Sequence, residues 1–133
     1  MKDLKTFITE GNLDAFALKF QQATKLQINV SQTYNGDEGI EDTVGLEFPQ
    51  TEYEFKNKKL NDYEIILVID KNGNFVITCD SVAYIYNGTD WEYDDGYGDN
   101  DGISKLPNVN NPEDLKNYNM RSMNKLLKVI DGE

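Results

Sequence analysis

The chain has 133 residues, with 13 lysines and arginines against 24 aspartates and glutamates, which gives a net charge of −11. This length suits one domain with a substantial core, and 38% hydrophobic and 11% aromatic residues exclude a disordered chain. Because direct binding of nucleic acid needs a basic face, the charge balance argues against it and favours a protein partner with a basic surface.

The complete absence of histidine removes the usual general base and the commonest zinc ligand. We therefore expect a binding protein rather than an enzyme, with no catalytic residue, cofactor or metal. Cys79 is the only cysteine and lies in a strand-like run, which indicates a small buried thiol. The longest apolar run, residues 65–69, is far shorter than the roughly 20 residues of a membrane helix, and residues 1–20 carry too many charges for a secretory signal. These features predict a cytoplasmic protein without membrane association.

Two helical stripes open the chain, and Gly11 with Asn12 separates them. The second stripe has apolar side chains at the i, i+3, i+4, i+7 spacing of a helix, and Asn12 is its expected N-cap. Its members are Leu13, Phe16, Ala17 and Phe20. Because the first stripe would not line up with the second on one continuous helix, we expect residues 1–10 to form a separate unit ahead of a single domain at 11–133. The alternative is that residues 1–10 are the first structural helix of the fold.

The middle of the chain predicts an antiparallel meander of five or six strands. Alternating or continuous apolar runs mark the strands, and they lie at 26–34, 51–56, 62–70, 74–79, 82–86 and 89–93. A Gly-rich acidic loop occupies residues 35–47. We expect Asn72-Gly73 and Asn87-Gly88 to form type I′ hairpin turns.

The C-terminal segment predicts one long helix that begins at Asn111-Pro112 and ends near Gly132. The cap, the N1 proline and the first-turn acids Glu113 and Asp114 are all in place. The apolar side chains of this helix are Leu115, Tyr118, Met123, Leu126, Leu127 and Ile130. The fold class is therefore α+β, with a meander sheet and helices from both ends of the chain packed on it.

Six carboxylates and no basic residue lie between residues 90 and 101, where aromatic residues stand among the acids. Tryptophan and tyrosine are enriched at binding hot spots, and the acids suit a basic partner. The predicted partner-binding residues are Asp90, Trp91, Glu92, Tyr93, Asp94, Asp95, Tyr97, Asp99 and Asp101.

Other interpretations of this stretch stay open. The acids can form a solvated loop without a partner, the aromatics can belong to the core, or the loop can bind a divalent cation weakly. The EF-hand pattern itself fails, because Tyr97 stands where the first aspartate belongs when Gly102 takes the glycine position.

The opening decapeptide MKDLKTFITE followed by Gly11 resembles the capsid-targeting sequence of internal head proteins from T-even-type tailed phages. In that family a maturation protease cuts after a glutamate in an Ile/Leu-x-Glu pattern, and Ile8, Thr9, Glu10 and Gly11 match this pattern. The resemblance implies a protein that is packaged in the virion interior and injected into the host cytoplasm, in some cases to disable a host defence enzyme. Members of the family are often basic, from which this acidic chain departs.

Three functions are compatible with these features. The first is an acidic phage accessory protein that binds and inhibits a basic host protein. The second is a bacterial immunity or antitoxin protein that neutralises a basic toxin. The third is a minor structural protein of the virion.

Overall fold

The computed structural model describes residues 14–36, 44–94, 103 and 105–132. Within these ranges the chain forms a six-stranded antiparallel sheet whose strands lie in chain order, with helices before and after it. The predicted α+β class and the meander topology are confirmed. The proposed leader, with its cleavage residues Ile8, Glu10 and Gly11, lies outside the described residues.

The elements are labelled in chain order. They are α1 (Ala15–Thr24), β1 (Ile28–Tyr34), β2 (Gln50–Phe55), α2 (Lys58–Asp62), β3 (Ile66–Asp70), β4 (Phe75–Cys79), β5 (Val82–Tyr86), β6 (Trp91–Asp94), α3 (Pro112–Leu115) and α4 (Met120–Asp131). The longest helix in the described ranges has 12 residues, so none of them could span a bilayer.

Helix α1 begins later than the sequence pattern indicates. Asp14 is its N-cap, and the Asp14 carboxylate accepts a hydrogen bond of 2.9 Å from the backbone N–H of Ala17. The expectation of Asn12 as the cap is therefore wrong. Either residue type can cap a helix. Asp14 stands three residues before Ala17, whose N–H at the start of the helix has no acceptor within the helix.

The two Asn-Gly loops do not form type I′ turns. That turn needs a positive φ at both central residues, but among these four residues only Gly73 (φ 89°) and Gly88 (φ 101°) have one. In the second loop the Asn87 side chain instead accepts hydrogen bonds from the backbone of Thr89 and Asp90, so the connection spans four residues. Both hairpins exist as predicted, but with longer loops.

The two-residue turn with positive φ at both positions lies between β4 and β5. It is formed by Asp80 (φ 53°) and Ser81 (φ 71°), and Cys79 pairs directly with Val82 across it. Aspartate tolerates the left-handed region better than most residues. The Cys79 thiol beside this turn is half-buried and contacts the carbonyl oxygen of Tyr63 at 3.2 Å.

The C-terminal segment forms two helices rather than one. The predicted start is confirmed, because Asn111 caps α3 and Pro112 stands in its first turn. Asn119 then begins α4 through a capping box, in which its side chain accepts from the Ser122 N–H while the Ser122 hydroxyl accepts from the Asn119 N–H. This reciprocal cap stabilises a new helix start, so the expectation of one continuous helix is wrong.

The two faces of the sheet bury different cores. The helices cover one face, where aromatic rings dominate: the ring of Phe75 lies 5.4 Å from Phe20 and 5.0 Å from Tyr118. The other face has a smaller aliphatic cluster that includes Val68 and Val76 and is covered in part by residues 44–46. Because the helices of the described ranges pack on one face, side-chain alternation along each strand decides which residues meet which surface.

Candidate partner-binding surface

The β5–β6 loop fixes the position of the first predicted site residue, Asp90. The Asn87 side chain accepts from the Asp90 N–H at 2.9 Å, and its amide nitrogen donates to the Glu92 carboxylate at 3.0 Å. The Asp90 side chain is exposed. This local network orders the loop without neutralising its two carboxylates.

Strand alternation separates the predicted site residues of β6. Trp91 and Tyr93 lie on the helix-covered face, whereas Glu92 and Asp94 lie on the opposite face. The sequence-based prediction placed all of them on one surface, and the structure does not bring them together there. Asp95, Tyr97, Asp99 and Asp101 lie outside the described residues.

Trp91 belongs to the core, so its expected role as an accessible anchor is corrected. Its side chain is only 8% exposed, and its indole N–H donates to the carbonyl oxygen of Ser122 at 3.0 Å. The ring packs edge-on against Tyr118 at 5.8 Å and also contacts Tyr86 at 5.1 Å. An indole that is buried and hydrogen-bonded in this way stabilises the fold and has little surface left for a partner.

Tyr93 differs from Trp91 although both side chains point to the same face. Tyr93 is 47% exposed, and among the described residues it is the large hydrophobic side chain that counts as exposed. Its ring contacts Tyr84 on β5 at 5.9 Å, and β6 is the last strand of the sheet. The exposure of Tyr93 leaves this aromatic side chain available for contact at the sheet edge.

The aliphatic face of the sheet has carboxylates at both sides. One cross-strand row joins five strands by direct pairing, and it runs Glu54, Ile66, Thr78, Ala83, Asp94. Two residues along the strands on the same face, Glu52 pairs with Val68 on β3, and Glu92 pairs with Ile85 on β5. The apolar centre is thus flanked by acids on β2 and on β6.

Three carboxylate residues, one of them Glu54 of this row, surround a cavity at one end of this face. The cavity has a volume of about 510 Å³, and its acids are Glu54, Glu64 and Asp80. Asn61, Thr78 and Ser81 complete its polar wall, and no described lysine or arginine lines it. We call Glu54, Glu64 and Asp80 the acidic rim. All three side chains are exposed.

The acidic rim has no counter-ions within the described chain. The ion pairs found there join Lys58 to Asp62, Lys71 to Glu47 and Lys116 to Glu113, and none includes a rim residue. Three exposed carboxylates that line one cavity, with no described lysine or arginine in its lining, create a negative potential in the concave space. This arrangement suits a cationic group from another molecule.

Sequence reasoning missed the rim because its members are far apart along the chain. Glu54 lies on β2, Glu64 follows α2, and Asp80 is in the β4–β5 turn. Two of them adopt positive φ, 57° at Glu64 and 53° at Asp80. A non-glycine residue with positive φ is uncommon, but that conformation cannot be identified from the residue type alone.

A different carboxylate, Asp70, is structural. Its side chain is 2% exposed and accepts hydrogen bonds from the N–H groups of Asn72, Asn74 and Glu47 at 2.8, 3.0 and 3.0 Å. These bonds hold the β3–β4 loop and attach residue 47 to the sheet. Because its acceptor oxygens are used internally, Asp70 is not part of the partner surface.

Among the described residues, no group of three or more acidic or cysteine side chains is placed to hold a metal ion. Of the stretch 90–101 considered for a weak cation site, residues 95–101 lie outside the described residues. No protein-family model, curated protein or solved structure matches the chain. Function must therefore be argued from the surfaces themselves.

Proposed function

We propose that this protein is a non-enzymatic acidic binding protein that engages a basic surface of a partner protein through its acidic rim. The observation that carries the proposal is the concave site of Glu54, Glu64 and Asp80, which contains three exposed carboxylates and no described counter-ion. The carboxylates Asp90 and Glu92 of the β5–β6 hairpin are a proposed extension of the contact surface.

The physical basis is electrostatic attraction between the negative rim and a basic surface. The rim carboxylates line one cavity with no described cation beside them, and the net charge of −11 adds to the negative potential there. A lysine or arginine from a partner would offset it. The same field speeds the encounter with a basic protein, so charge is expected to act mainly on the association rate.

The biological setting rests on the leader resemblance. If residues 1–10 direct the chain into a phage head and are removed after Glu10, the domain reaches the host cytoplasm at injection. We propose on this basis a phage accessory protein whose basic partner is a host defence protein. Such a role needs tight binding to one target and needs no catalytic group of its own.

The test is a matched pair of triple variants with equal changes in net charge. The rim variant carries Glu54→Gln, Glu64→Gln and Asp80→Asn. The control carries Glu47→Gln, Asp62→Asn and Glu113→Gln, which neutralise the three carboxylates already paired with lysines. Exposed ion pairs contribute about 0–1 kcal/mol each, so the control should fold normally.

The wild-type protein is first used to capture its partner from host lysate at low and at high salt, and association kinetics are then measured with the captured protein. We expect the rim variant to associate at least about tenfold more slowly at low salt, and the control to lose much less. If the two variants slow association equally, only net charge matters and the rim is not the contact site.

A further inference from the structure

A second cavity, at the other end of β5, has the opposite charge. It lies between the β5–β6 hairpin and α4, with a volume of about 760 Å³. Its charged lining residues are Lys116, Arg121, Lys125 and Lys128, and no described carboxylate lines it. We call these four residues the basic pocket. These four cations make the pocket locally positive, although the chain as a whole has a net charge of −11.

Helix geometry explains how three of the cations come together. Arg121, Lys125 and Lys128 have the i, i+4, i+7 spacing that places side chains on one face of α4. At 1.5 Å per residue they extend over about 10 Å of the helix. Lys116 joins them from the turn that follows α3.

The Lys125 ammonium group is held in place by the hairpin. It donates to the carbonyl oxygen of Thr89 at 2.6 Å and lies 5.5 Å from the centre of the Tyr86 ring. Neither contact carries a full negative charge. Lys125 is therefore positioned at the pocket while its charge stays unneutralised.

The other cations are also largely available. Arg121 and Lys128 are exposed and form no ion pair within the described chain. Lys116 pairs with Glu113 at 2.7 Å, but both side chains are more than half exposed, so the pair is weak and can open. Like charges at i, i+4 destabilise a helix, and an anion in the pocket would relieve that cost.

We propose that the basic pocket binds a small anion that carries several phosphate groups, such as a triphosphate chain. Lysine and arginine form strong charge-assisted hydrogen bonds with phosphate oxygens, and Asn117 and Asn124 in the pocket wall can add amide donors. The cavity volume lies within the range of small-molecule sites. This inference does not depend on the proposed partner of the acidic rim.

The size of the ligand follows from the charge of the rest of the protein. A long polyanion such as DNA or RNA would extend beyond the pocket and meet the acidic surface, which would repel it. A compact anion stays within the positive potential of the four cations. The structure therefore favours a small phosphate compound over a nucleic acid.

The experiment measures binding of sodium tripolyphosphate to the full chain by isothermal titration calorimetry, with thermal unfolding as a second readout. The pocket variant is Arg121→Gln with Lys128→Gln. The control is Lys58→Gln with Lys59→Gln on α2, which removes the same charge outside the pocket. Glutamine is a good helix former, so both variants should fold.

We expect wild-type protein and control to bind with similar affinity and to gain thermal stability from the ligand. The pocket variant should bind at least about tenfold more weakly, because it loses two charge-assisted contacts. Absence of wild-type binding at millimolar tripolyphosphate, or an equal loss in the control, would overturn the proposal. Tighter binding of a DNA oligonucleotide at equal phosphate concentration would also overturn it.

Discussion

Replacing Trp91 by alanine gives a direct test of whether this residue serves the fold or a partner. The structure buries all but 8% of the side chain and gives its indole N–H a 3.0 Å hydrogen bond to Ser122. Truncating a buried tryptophan costs about 3–5 kcal/mol, and the lost hydrogen bond belongs to a class worth about 1 kcal/mol. Domains are stable by about 5–15 kcal/mol, so Trp91→Ala should remove a large part of the total.

Tyr93→Ala on the same strand is the matched control. Tyr93 is 47% exposed and has one aromatic neighbour, Tyr84, across the strand pair. Cross-strand pairs of this kind contribute about 0.2–1 kcal/mol. We expect Tyr93→Ala to cost less than about 1 kcal/mol.

The assay is urea-induced unfolding followed by far-UV circular dichroism, since Trp91 is the single tryptophan and its loss removes the usual fluorescence probe. The difference in unfolding free energy between Trp91→Ala and Tyr93→Ala is the decisive quantity. Equal and small losses in both variants would refute the placement of the Trp91 ring in the core.

Two further predictions concern buried polar groups. Asp70→Asn should cost about 1.5–3 kcal/mol in urea unfolding, because the amide nitrogen that replaces one carboxylate oxygen cannot accept a hydrogen bond. In place of Oδ2 it loses the bond from the Glu47 N–H, and in place of Oδ1 it loses those from the Asn72 and Asn74 N–H groups; an unchanged midpoint would contradict this. Burial raises the pKa of Tyr53 and of Tyr118 well above the ordinary value of 10.0, and Asp14 adds to the shift at Tyr53. Above pH 10 both hydroxyls stay protonated in the folded state, whereas the tyrosines of the unfolded chain ionise. The stabilisation from these two groups is therefore fully present below pH 10. Above pH 10 the free energy of unfolding falls by about 1.4 kcal/mol per pH unit for each tyrosine. Urea midpoints measured from neutral pH into this alkaline range check the sign, and a flat profile would contradict it.

The sequence predicted the sheet well because local patterns determine strands in a meander. From residue 66 to residue 69, β3 has apolar side chains on both faces, and only its last residue, Asp70, is charged. These residues fall in the continuous apolar run that indicated a central strand. The start of α3 was predictable for the same reason, since Asn111 and Pro112 act on their own backbone neighbourhood.

The errors arose where two local signals competed. Asn119 lies inside an apolar helical stripe, but its capping box with Ser122 starts a new helix there. Asn72-Gly73 is a strong type I′ signal, yet the buried Asp70 carboxylate accepts hydrogen bonds from the loop backbone and stabilises a longer turn. In each case a side-chain hydrogen bond, which hydrophobic periodicity does not report, decided the geometry.

The candidate site was only partly predictable, because composition identifies charge but not position. The acid-rich stretch from Asp90 to Asp101 was conspicuous, whereas the acidic rim combines one residue each from β2, the turn after α2 and the β4–β5 turn. Alternation could have separated Trp91 from Glu92 in advance, since neighbours on a strand point to opposite faces. Which face the helices cover is a tertiary property and needed the structure.

The acidic rim and the basic pocket can act independently because β5 holds them apart. Ser81 at the rim cavity precedes this strand, and Gly88 at the pocket follows it. Five strand residues span about 16 Å, which exceeds the Debye length of about 8 Å at physiological salt. Charges at one site are therefore screened from the other, so neutralising the rim should leave anion binding at the pocket unchanged. A basic protein approaching from a distance meets the net negative field, whereas a small anion that reaches the pocket meets mainly its four cations.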